Sequence, residues 1–192
     1  AHASGKDKHG RAKKGAQTTT RQTHMNYSGS FDGTNDYISV SDSTDFDFGT
    51  NSWTWSAWVK TDPSTTGSTP TFLHAAEVAG SAAVLFRKHS TDAYRCVTTD
   101  STGANLSAYS DATTYADGLW HHVVCMRDTA NNQLTIYVDG IAQTPAADSR
   151  IGNFDTNTGI FIGSGNGGFF YEGQLDETAI WTRALSAGEI LQ

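Results

Sequence analysis

Several side-chain sets in this 192-residue chain have the types and spacing for chemistry or recognition. His121 and His122 are metal-ligand types, but neighbours on a strand point to opposite faces, so the pair cannot chelate one ion. One ring is expected to pack inward and the other to face solvent. The Gly-rich stretch "GSGNGGFFYEG" at 163–173 looks like a phosphate cradle, yet it lacks the Lys-Ser/Thr pair and does not open a helix. Its Phe169, Phe170 and Tyr171 read as strand-entry packing, or as an exposed contact if the loop meets a partner. "WTWSAW" at 53–58 could be a platform for sugar rings. Strand alternation groups Trp53 and Trp55 with Ala57 and Val59 on an apolar, core-facing side, and Trp58 with Thr54, Ser56 and Lys60 on the other. Trp58 could stack on a ligand or lie under a loop; burial is the usual fate of so large an aromatic.

The N-terminal residues offer a different chemistry. Lys6, Lys8, Arg11, Lys13, Lys14 and Arg21 stand against Asp7 alone within residues 1–24. That arm carries +5, which, subtracted from the formal −7 of the chain, leaves −12 for residues 25–192. The arm has almost no large apolar group, so alone it is expected to be disordered, and concentrated charge marks it as an interaction tail. It has no aromatic residue before Tyr27 for base stacking, and the acidic body would repel phosphate. Nucleic acid is therefore a poorer partner than an acidic protein surface. A solvated tail, or a vector remnant ending at His24-Met25, is the plain alternative.

The elements that would carry these residues are strands. Only 17% of residues are charged, and apolar runs such as "DYISV", "WTWSAWVK", "AAVLFRK", "YRCVTT" and "WHHVVCMR" are separated by Gly, Asn, Asp, Ser and Thr. In "QLTIYVDGIAQT", Asp139-Gly140 predicts a tight hairpin turn. "TRALSAGEILQ" predicts a short helix, with Ser186 as N-cap and Glu189 as capping-box partner. The organisation expected is an arm, 1–24, and one all-β domain, 25–192, of two stacked antiparallel sheets. Cys96 and Cys125 read as buried free thiols, with a cross-strand disulfide as the alternative. The chain shows no membrane span and no apolar core of a secretory signal, so cytoplasmic synthesis is expected.

Five blocks, "FDGTNDYISVSDS", "NSWTWSAWVKTD", "GLWHHVVCMRD", "NQLTIYVDGIAQ" and "EGQLDETAIWTRALSAGEI", resemble in order those of laminin G-like domains of the concanavalin A-like lectin/glucanase superfamily. The resemblance covers about residues 28–191 and implies a jelly-roll sandwich. Enzymes of that superfamily place paired acids on one strand in an E-x-D pattern. Here Glu77, Glu172, Glu177 and Glu189 are the only glutamates and none has an acid two residues on. No enzymatic activity is expected. Relatives often hold a structural calcium where the terminal strands meet, and the matching positions are Asp32 and Asp176, aided by Gly33 and Asp36. Plain turn formation by these aspartates is the alternative, and no cofactor is required. The candidate ligand-binding set is Trp58, Asn166, Phe170 and Tyr171.

Two functions are expected from this material. In the first, the domain decorates a larger assembly such as a virion or fibre in repeated copies, anchored by its basic arm to a capsid-like protein. In the second, it is an extracellular, lectin-like adhesion module that binds glycan, with or without calcium.

Overall fold

The computed structural model describes residues 28–65, 68–75, 84–112, 114–155, 159–165 and 168–191, and the backbone alone at 10–12, 17–19 and 83. In chain order the strands are β1 (Gly10–Ala12), β2 (Gln17–Thr19), β3 (Ser28–Asp32), β4 (Ile38–Val40), β5 (Trp53–Thr61), β6 (Thr71–Ala75), β7 (Ala83–Lys88) and β8 (Tyr94–Thr99). They continue with β9 (Asn105–Tyr109), β10 (His121–Asp128), β11 (Gln133–Val138), β12 (Ile141–Ala142), β13 (Ala146–Ala147), β14 (Ile160–Ile162) and β15 (Glu172–Trp181). A single turn of helix, α1 (Ala187–Ile190), follows.

These strands form two antiparallel sheets. Sheet A runs β1-β4-β14-β6-β7-β8-β9, and sheet B runs β12-β11-β10-β5-β15-β3-β2, with β13 also pairing β11. The expected jelly-roll sandwich is present. Its core is built by alternation: Trp53, Trp55, Ala57 and Val59 of β5 are fully buried and face Phe72, Leu73, Phe86 and Tyr94 of sheet A. The Asp139-Gly140 turn joins β11 to β12 with both φ angles positive, at 51° and 79°, which matches the right-handed twist of the flanking strands. Ser186 caps α1, its hydroxyl accepting from the Glu189 N–H while the Glu189 carboxylate accepts from the Ser186 N–H.

Three expectations are changed. Cys96 and Cys125 are not free thiols but a disulfide that crosses the core from β8 in sheet A to β10 in sheet B. Both lie on the inner faces of facing sheets, a relation that needs the sheet stacking and not the strand alone. Next, the short described stretches of the arm do not stand away from the body: β1 pairs β4 at one edge of sheet A, and β2 pairs β3 at one edge of sheet B. Arg11 is described in backbone only, while Lys6, Lys8, Lys13, Lys14 and Arg21 lie outside the described residues.

The third concerns the aspartates proposed as calcium ligands. Asp32 and Asp36 meet, Asp36 Oδ2 accepting from the Asp32 N–H at 3.2 Å. Asp32, however, is in register with Glu172, four residues before Asp176 on β15. At about 3.4 Å per residue, Asp176 is roughly 14 Å along the strand from this pair. Among the described residues no group of three or more His, Cys, Asp or Glu is gathered as a metal would need.

Candidate functional site

The outer face of sheet B is divided by α1. Leu185 and Ile190 close over Val124 and Met126, with Tyr137 and Trp181 packed around them. The other half of that face, formed by β3, β15, β5 and β10, lies beyond the reach of α1. Register fixes its composition. His122, Trp58 and Asp176 form one transverse row. Two residues along, Lys60, Gln174 and Ser30 form the next, and beyond them Glu172 stands opposite Asp32. Successive rows are two residues apart, so all of these side chains share the outward face.

A cleft of about 440 Å³ runs over the second and third rows, lined by Ser30, Asp32, Lys60, Asp62, Glu172 and Gln174. Its floor depends on Gly173, whose φ is +139° and whose hypothetical Cβ would collide with the Lys60 carbonyl oxygen. Asp62 shapes the rim: its carboxylate accepts from the Ser64 N–H at 2.8 Å, and this bond with that of the Ser64 hydroxyl holds its pKa below the ordinary value. A second cleft, of about 500 Å³, lies between the loops before β6 and before β15 and is lined by Thr65, Ser68, Pro70, Phe169, Phe170 and Glu172. Glu172 is the wall the two clefts share. Phe169 is 62% exposed and holds a positive φ of 52°, an uncommon conformation for a bulky residue.

Trp58 is half-buried and covered on one side by a strand neighbour: its ring stacks on His122 with centroids 5.3 Å apart and planes 30° from parallel. Burial keeps the His122 pKa below its ordinary value, so the imidazole is neutral at neutral pH. His121 takes the opposite side of β10, against Tyr94 and Tyr115, and bridges Asp117 and Asp139 at 3.3 and 2.8 Å. The two histidines do point apart, as the strand geometry requires.

Of the other expected ligand residues, Phe170 lines the loop cleft and packs against Tyr37. Tyr171 does not serve. It is fully buried, edge-on to Phe31 and Phe72, with its hydroxyl bonded to Thr61 Oγ1 at 3.1 Å. Alternation explains this, because Tyr171 enters β15 on the inner side. Asn166 lies outside the described residues. Sequence reasoning missed Ser30, Glu172 and Gln174. The alternation in "EGQLD" does place Glu172, Gln174 and Asp176 on one face, but only strand order brings them beside Lys60 and Trp58.

The family model described as concanavalin A-like lectin/glucanases superfamily, of laminin G-like type, matches residues 32–191. The chain belongs to that superfamily. Membership accounts for the sandwich, in which the block "WTWSAWVK" forms the central strand of sheet B. A comparison with curated protein sequences finds no match. Among solved structures, the binding domain of Paraclostridial Mosquitocidal Protein 1 superposes with a TM-score of 0.77 at 16% identity, covering 95% of this chain and 46% of that one. The receptor binding domain of botulinum neurotoxin D gives 0.73 at 13%, covering 95% and 46%. The serotype G binding domain gives 0.73 at 14%, covering 95% and 45%. The chain thus spans less than half of each of these, and the likeness is one of fold.

Proposed function

We propose that the protein is a carbohydrate-binding adhesion module that takes glycan on the open half of sheet B. The observation that carries this is the row His122–Trp58–Asp176, followed by Lys60–Gln174–Ser30, above a formed cleft. A half-buried indole braced by a neutral imidazole offers an apolar plane for a sugar ring. The Lys60 ammonium and Ser30 hydroxyl beside it supply directed polar groups of the kind recognition needs. The binding and receptor-binding domains named among the similar structures support a recognition role over catalysis.

The disulfide supports an oxidising compartment, and hence display outside the cytoplasm. Attachment of the arm to a capsid-like shell has no counterpart among the similar structures, and the described arm stretches pair with this chain's own sheet edges. A calcium ion, if bound, would sit at Asp32 and Asp36, where Asp36 Oδ1 is buried without a hydrogen-bond partner. Screening the whole chain on a glycan array, in calcium and in EDTA, tests the function. Binding that Trp58→Ala weakens is the expected outcome, and an array blank in both conditions would overturn it.

A further inference from the structure

The outer face of sheet A carries a second constellation, on the opposite side of the sandwich. Arg87 on β7 and Arg95 on β8 are direct cross-strand partners, and Tyr109 on β9 stands opposite Arg95. Their strand neighbours Phe86, Tyr94, Cys96 and Ala108 are buried in the core, so these three side chains face outward. Like charges directly opposite one another in a sheet repel. In a chain of formal charge −7, acids are plentiful, yet among the described residues neither guanidinium has a carboxylate partner. The undescribed residues include only two acids, Asp7 and Glu77.

The two arginines differ in how they are held. Arg95 donates from Nε and Nη2 to Ser107 Oγ at 3.3 and 3.0 Å, and its guanidinium lies 5.2 Å over the Tyr109 ring. Arg87 Nε is buried and donates to nothing among the described residues. Lys88 next to it is already satisfied, turned inward and paired with Asp92. Burial first, then the charge of Arg95, lowers the Arg87 pKa. His89, packed edge-on to Tyr109, is lowered by burial and then by Arg95, Arg87 and Lys88. The patch is thus a local positive field on an acidic molecule.

We propose that Arg87 and Arg95 bind one oxyanion of a ligand, a sulfate ester or carboxylate carried on a saccharide whose ring rests beside Tyr109. A guanidinium fork matches the geometry of such a group, and an anion between the two would replace repulsion by attraction. Tyr109, 39% exposed, supplies the apolar edge that a free ion would not need. A long polyanion such as nucleic acid fits less well, because the molecule as a whole carries a formal charge of −7.

The test uses the full chain, with inorganic sulfate, inorganic phosphate, glucuronate, a 6-sulfated monosaccharide and its uncharged parent as probes in calorimetric titrations at fixed ionic strength. The charged sugars are expected to bind at least about tenfold more tightly than the uncharged one, and Arg87→Gln and Arg95→Gln each to remove that difference. Without any anion, Arg87→Gln should melt no lower than the unaltered chain, since it relieves a like-charge contact. Equal anion binding by the unaltered chain and both variants overturns the site. Inorganic ions binding as tightly as the charged sugars, or an oligonucleotide binding more tightly, would overturn its assignment to a saccharide.

Discussion

Trp58 owes its place to arithmetic along β5: three residues of "WTWSAW" cannot all face the core when alternate side chains point to opposite sides. Its partner His122 comes from β10 by register. Because the ring is half-buried and outside the main core, Trp58→Ala should leave the fold intact. It should weaken glycan binding by about tenfold, on the order of 1–2 kcal/mol, as measured by calorimetry against the best array ligand. Asp36 makes the opposite case, a charge with too little around it. It is 2% exposed, and burial first, then Asp32, raises its pKa. A raised folded-state pKa means that its contribution to stability is present at acid pH and is lost as pH rises through that value. Asp36→Asn should therefore be neutral or stabilising at pH 7 in EDTA, and should remove any rise in melting temperature that calcium gives the unaltered chain. A calcium-dependent rise unchanged by this variant would exclude the site.

At the level of elements, the end of the sandwich opposite the groove is latched by charge. Asp148, 4% exposed, bonds Arg127 Nε at 3.0 Å and Arg150 Nε and Nη2 at 2.8 and 2.9 Å. Arg127 also donates to the carbonyls of Thr50, Asn51 and Arg150, and both guanidiniums lie over Phe154. Arg150 Nη1 reaches the Thr98 carbonyl of β8, so the latch ties sheet B to sheet A. Burial alone would raise the Asp148 pKa, but the bonds from Arg150 and Arg127 outweigh it and hold it at about 2. Since this lies below the ordinary 3.8, the stabilisation is complete above about pH 4 and is lost as pH falls toward 2. Asp148→Asn should cost about 3–5 kcal/mol in urea unfolding at pH 7, because buried Arg127 and half-buried Arg150 lose their counter-charge. The cost should shrink on acidification.

For the whole molecule, the disulfide and the arm set the boundary conditions. The bridge closes a loop of separation 29, which in chain-entropy terms contributes about 3–4 kcal/mol. Replacing both cysteines by Ala should lower unfolding stability by about that amount while leaving glycan affinity unchanged, since neither sulfur is near the groove face. What was legible beforehand is what depends on neighbours in sequence. The buried side of β5, the Asp139-Gly140 turn, the α1 cap and the divergence of His121 from His122 all follow from strand period, turn chemistry or capping, which act over a few residues. The order of the five family blocks added the sandwich itself. Which strands lie side by side, and which face each other across the core, follows from packing over the full length of the chain. That is why the Cys96–Cys125 pairing, the separation of Asp176 from Asp32, the burial of Tyr171, the row through Trp58 and the meeting of Arg87 with Arg95 were decided only by the tertiary structure.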